Sequence, residues 1–177
     1  MKKLLLPLIL LILLVLEGTL ADIFSPDWAA TQYDIIPHSM AVFLFLIAIY
    51  YDHDHTYYCV FYGILFGFLK DLLYTDILGV YMFTYAIGAY IIHGLKKLLH
   101  GTFIVTFCLT AFGVLLIDSL LYTLYYVIGV TDIIILMYFS DRLVPTLALN
   151  LLFLMILYPI FSKILFKWSE ELIAERK

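Results

Sequence analysis

Tyr62-Gly63-Ile64-Leu65-Phe66-Gly67-Phe68-Leu69-Lys70-Asp71-Leu72-Leu73-Tyr74, continuing through Thr75-Asp76-Ile77-Leu78-Gly79-Val80-Tyr81, is the segment around which this chain is organised. On a helix, Gly63, Gly67 and Asp71 recur every fourth residue and stack along one ridge. Two glycines in that register remove side-chain bulk and let a second helix approach closely in an apolar solvent. A carboxylate on the same ridge is expensive against lipid and needs a partner, so Asp71 reads as a polar anchor against another helix. Thr75, Asp76 and Gly79 give a turn signal, and a new apolar run starts at Val80.

The rest of the composition agrees with an apolar solvent. Of 177 residues, 65% are hydrophobic and only 14% charged, too few polar groups to make the shell of a water-soluble domain. The expectation is an all-α integral membrane protein. The net charge of -4 is small and says nothing about partners, and with no basic patch in the sequence no nucleic acid is expected among them. Cys59 and Cys108 lie inside apolar runs without CxxC spacing, which predicts reduced, lipid-buried thiols and no disulfide framework.

Six apolar runs predict a single transmembrane domain over residues 1–177, with helices near 4–20, 36–51, 57–74, 77–93, 102–128 and 143–166 and a tail at 167–177. Lys2 and Lys3 before the first run, and Thr19-Leu20-Ala21 after it, also fit a cleaved signal peptide. An uncleaved first helix is preferred because a series of further spans follows it. The loop Asp22–Asp34 carries Ser25-Pro26-Asp27 and an interfacial Trp28. Residues Thr131–Asp141 are expected to lie as a loop at the interface, since their apolar core is too short to span. With the amino terminus in the cytoplasm, Lys2, Lys3, Lys96, Lys97, Lys163, Lys167, Arg176 and Lys177 fall inside and only Lys70 and Arg142 outside. That asymmetry predicts both termini to be cytoplasmic. The tail alternates Ile164, Leu165, Trp168, Leu172 and Ile173 with Lys and Glu. It fits a helix on the inner membrane surface and a solvated extension of the last span equally well.

Five isolated polar positions invite a chemical reading. Glu17, near the outer end of the first helix, is read as a carboxylate reaching the headgroups in preference to a partner for Arg142 or Lys70. Asp118 is the deepest acid. Tyr122 and Tyr125 share its face, so a local tyrosine hydroxyl is expected to satisfy it, and structural hydrogen bonding is preferred to proton or ion coupling. Asn150 reads as an interhelical hydrogen bonder. Asp141 is expected to cap the last helix, with Pro145 in its first turn, and Arg142 to sit at the outer rim. Asp52-His53-Asp54-His55 suggests a metal site, but alternating residues in a short turn rarely converge on one ion, so a solvated turn is preferred. No metal, cofactor or catalytic constellation is expected: HExxH, GxSxG and a Walker loop are all missing from the sequence, which argues against an enzyme.

The chain resembles the MreD family of rod shape-determining membrane proteins, in its Bacillus-like form. The likeness is carried by Tyr62-Gly63 through Gly67-Phe68-Leu69-Lys70-Asp71, then Tyr74-Thr75 with Leu78-Gly79-Val80-Tyr81-Met82-Phe83. A second block is Asp141-Arg142-Leu143-Val144-Pro145-Thr146 with Leu149-Asn150, and the opening Leu-Leu-Pro run ending at Glu17 is similar too. The resemblance implies a non-enzymatic subunit of the cell-elongation machinery in the bacterial cytoplasmic membrane. It would sit beside MreC, linked with MreB, RodA and a class-B penicillin-binding protein, and regulate lateral peptidoglycan synthesis and cell shape. It also implies the six-helix architecture of the substrate-binding subunits of energy-coupling-factor vitamin transporters. Such a transporter subunit is the alternative function. On the shape reading, Gly63, Gly67, Asp71, Gly79 and Arg142 are expected to pack helices and to present a docking surface for the membrane anchor of MreC.

Overall fold

The computed structural model describes residues 4–24, 35–99 and 102–176. Lys2, Lys3, Lys177 and the loop with Ser25, Pro26, Asp27 and Trp28 lie outside the described residues. Those described are helical and contain no strand. The helices are α1 Leu5–Phe24, α2 Ser39–Tyr51, α3 Tyr58–Tyr74, α4 Val80–Lys96, α5 Phe103–Ile128 and α6, residues 135–176. By length and composition, α5 and the Ile135–Leu172 part of α6 are able to cross a membrane, while α1 and α2 offer shorter apolar stretches.

α2 forms the axis of the molecule. Every side chain from Met40 to Ala48 is buried, and the helix touches all five others. A helix apolar all round has no face for water, and here the other five helices enclose it. Its last turn, Ile47–Tyr51, widens into π-helical register. Around this axis α3 and α4 make the closest pair, a hairpin whose turn ends at Gly79 with φ 101°. Such a positive φ favours glycine.

The sixth helix differs from expectation at both ends. Residues 135–141 are helical instead of an interfacial loop, and Tyr138–Leu143 run in π register before Val144–Arg176. Pro145 has no N–H to offer the carbonyl four residues earlier, so the wider register falls where an α-helical bond is impossible. Asp141 therefore lies within the helix and caps nothing. Its Oδ1 accepts a hydrogen bond from Ser140 Oγ at 2.6 Å on the exposed side. At the other end the helix runs through Pro159 to Arg176 without a break. Leu165 and Ser169, four residues apart, are buried, and Ser169 Oγ donates to the Tyr51 carbonyl at 2.9 Å. The tail is thus an extension of the last helix, packed on the turn between α2 and α3.

Candidate functional site

The glycine ridge is filled from within. A Cβ on Gly67 would lie 2.7 Å from Met82 Cα and from the Tyr81 carbonyl oxygen, and one on Gly63 would lie 3.1 Å from the Tyr85 carbonyl oxygen. The ridge is the seam between α3 and α4, so it is not an open face for a partner's helix. Asp71 closes the seam at the turn: its carboxylate accepts the N–H groups of Gly79 at 3.0 Å, Tyr81 at 2.9 Å and Met82 at 3.0 Å. It therefore caps α4, whose first amides have no intrahelical acceptor. Gly79 departs from its expected packing role. Nothing lies within 4 Å of a Cβ built there, and the residue serves the backbone conformation alone.

Above the seam the isolated polar residues of the sequence converge. Glu17 is buried and does not reach the headgroups: Lys70 Nζ donates to its Oε1, and Tyr85 Oη donates to the same oxygen at 3.2 Å. Its Oε2 accepts the Met40 N–H at 2.9 Å and Ser39 Oγ at 3.3 Å, which caps α2 from α1. The Lys70 ammonium also stands 4.2 Å from the centre of the Tyr81 ring. Such a cation gains from the ring's negative face in a dry site.

Tyr85 continues the chain of contacts to His38, whose Nδ1 is 3.1 Å from Tyr85 Oη. His38 Nε2 lies 3.5 Å from Asp118 Oδ1, and Arg142 Nη2 lies 3.5 Å from the same oxygen. Asp118 Oδ2 accepts Tyr138 Oη at 2.8 Å. The acid thus takes its hydrogen bond from α6 and its charged neighbours from α6 and the entry to α2, not from Tyr122, whose hydroxyl donates to the Ile133 carbonyl at 2.7 Å. Tyr122 instead stacks on the Tyr138 ring, centroids 4.1 Å apart. Arg142 is buried against Asp118 and does not form an exposed rim. Asn150 Oδ1 accepts the His38 N–H at 2.6 Å, and its Nδ2 donates to the Ile36 carbonyl at 3.0 Å, which fixes the strand of chain leading into α2.

Lys70, Glu17, Tyr85, His38, Asp118 and Arg142 therefore form one buried file across α3, α1, α4, the entry to α2, α5 and α6. Two carboxylates face two permanent cations, with the His38 imidazole between them, so the file needs no external counter-charge. Breaking one member strands its partner in a medium where unpaired charge is costly. A cleft of about 240 Å³ opens beside its Glu17 end, lined by Leu14, Gly18, Pro37, Lys70 and Tyr81. Sequence reading missed His38, Tyr85 and Tyr138 as members. The signal it had was the placement of two polar residues, His38 and Ser39, at the start of a wholly apolar helix.

A second polar group gathers at the opposite end of α3. Asp52 accepts the N–H groups of Tyr58 at 2.9 Å and Cys59 at 2.8 Å, capping α3, and Thr56 Oγ1 donates to it at 3.1 Å. Lys96 donates to the Asp52 carbonyl, and burial holds its ammonium below the usual lysine range, with the Asp52 carboxylate opposing that shift. His53 Nε2 stands 3.0 Å from Ser169 Oγ. Cys59 is buried inside the protein, whereas Cys108 is exposed.

A family model described as rod shape-determining protein MreD matches residues 2–168. Among curated proteins, the rod shape-determining protein MreD of Bacillus subtilis (strain 168) is 28% identical over 178 residues, covering 97% of this chain and 98% of that protein. No solved structure matches the chain.

Proposed function

The chain belongs to the family of rod shape-determining protein MreD, and from that premise we propose that it is a non-enzymatic membrane subunit of a bacterial cell-elongation complex. It crosses the cytoplasmic membrane six times with both termini inside, in the manner of the small substrate-binding subunits of vitamin transporters. It regulates cell shape and lateral wall synthesis through MreC, in one assembly with MreB, RodA and a class-B penicillin-binding protein.

One observation carries this reading beyond the family match. The buried charges close on one another, while α1 and α6 turn Leu8, Leu11, Val15, Leu152, Met155 and Ile156 outward. A body whose buried charges pair within it and whose flanks are apolar acts through what it holds beside it in the bilayer. Because α4 fills the glycine seam, the contribution of Gly63, Gly67, Asp71 and Arg142 to MreC binding is indirect: they hold the flanks in shape. Nothing in the comparisons supports the vitamin-transporter alternative.

Depletion of the protein in its own rod-shaped host, with cell width scored by microscopy, tests the proposal. Rounded, widened cells are expected. Normal rods with a new nutrient requirement would overturn it in favour of transport.

A further inference from the structure

We propose that Asp52, Cys59 and His93 bind one divalent transition-metal ion of the zinc class, joining the turn after α2, the start of α3 and the end of α4. A carboxylate oxygen, the Cys59 sulfur and an imidazole nitrogen of His93 all lie within 4.8 Å of one another, and all three residues are buried. Around a tetrahedral zinc ion the corresponding ligand-to-ligand separations are about 3.4–3.6 Å, from bond lengths of about 2.0–2.3 Å. Each side chain has to move inward by only a fraction of its own length.

His93 is what points to a ligand. The residue is 1% exposed, and neither ring nitrogen has a hydrogen-bond partner of normal geometry among the described residues, although the Asp54 backbone acts on the ring. Buried imidazoles ordinarily place both nitrogens. Here the ring is held instead by Tyr57, centroids 4.7 Å apart, and faces the sulfur and the carboxylate. Asp52 keeps its capping bonds: Oδ1 is filled by the Tyr58 N–H and Thr56 Oγ1, while Oδ2 accepts only the Cys59 N–H and retains a second lone pair for a cation. Cys59 Sγ gives up only a long contact, 3.8 Å to the Ala89 carbonyl.

Charge favours the assembly. On binding, the Cys59 thiol passes its proton to solvent and coordinates as thiolate. Two anionic ligands and a neutral imidazole then neutralise the dication. Lys96, beside the Asp52 main chain, and Lys97, whose Nζ donates to the Asp54 carbonyl at 2.9 Å, are cations that oppose it there. His53, in the same turn, is turned to Ser169 and adds nothing. The ligands come from three separate segments, so no local spacing motif announces them.

The test uses the full chain purified in detergent, loaded with zinc or cobalt chloride, desalted, and read by elemental analysis and absorption. The unmutated protein and Cys108→Ser are expected to retain stoichiometric metal, and the cobalt form to show a thiolate charge-transfer band. Cys59→Ser and His93→Gln are expected to lose both. Equal metal retention by the unmutated protein and the Cys59→Ser/His93→Gln double variant would overturn the site. So would cobalt retention without a thiolate band in the unmutated protein, a result that stands even if a variant fails to fold.

Discussion

Replacing Gly67 with alanine sets two opposed effects against each other. The new methyl would sit 2.7 Å from Met82 Cα and the Tyr81 oxygen, whereas ordinary contact begins at 3.4 Å, so α3 and α4 must part by 3.4 − 2.7 = 0.7 Å. Both obstacles are backbone, and no rotamer change relieves them. Overpacking of this kind costs about 1–3 kcal/mol. Exchanging glycine for alanine inside a helix returns about 1 kcal/mol. The balance for Gly67→Ala is a loss of about 0–2 kcal/mol, a fall of a few degrees in melting temperature for a chain of this size. At Gly63 the nearest atom is at 3.1 Å, so the helices need part by only 3.4 − 3.1 = 0.3 Å. There the helix propensity prevails, and Gly63→Ala should melt at or slightly above the unmutated protein. Heating the purified variants in detergent and following the monodisperse fraction by size exclusion measures the order. A Gly67→Ala variant that melts no lower than Gly63→Ala would refute the assignment of the seam.

Three further outcomes follow from the buried file and the helix ends. Glu17→Leu leaves the Lys70 ammonium buried without its carboxylate, a loss of about 3–5 kcal/mol; adding Lys70→Met should recover most of it, and a double variant as unstable as the single one would sink the pairing. Tyr138→Phe removes a hydrogen bond to the charged Asp118 and should cost about 1.5–3 kcal/mol in thermal unfolding, whereas an unchanged melting temperature would show that α5 does not rely on α6 there. Membrane-impermeant amine labelling of inverted and right-side-out vesicles should reach Lys96 and Lys167 from the same, cytoplasmic, side; labelling from opposite sides would break the proposed topology.

Local pattern made part of this molecule legible and distance hid the rest. The fourfold spacing of Gly63, Gly67 and Asp71 and the turn signal at Thr75–Gly79 depend on neighbours within a few turns. The seam, the α4 cap and the positive φ of Gly79 all lie in that stretch. Glu17 was harder, because its partners Lys70 and Tyr85 stand 53 and 68 residues away. Asp118 had a plausible local donor in Tyr122, but that hydroxyl is drawn to a free carbonyl at the end of the loop, and Tyr138 takes the place. The turn Asp52-His53-Asp54-His55 reads as a unit in the sequence, whereas the structure disperses it: Asp52 turns to α3 and α4, His53 to α6. The π-helical Tyr138–Leu143 has no apolar periodicity of its own and reads as a loop until Pro145 is considered as its cause.

The borrowed caps have a consequence for how the polypeptide is made. Glu17 holds the first amides of α2, Asp52 those of α3, and Asp71 those of α4. In each case the acceptor leaves the ribosome before the amides that it will receive, so each of these three helices finds its fastening already waiting in the bilayer. Asp118 keeps the same order but fastens no cap: the groups it receives, Tyr138 and Arg142, belong to the sixth helix. The nascent chain therefore closes stepwise through its fourth helix and stays unlatched until the sixth arrives.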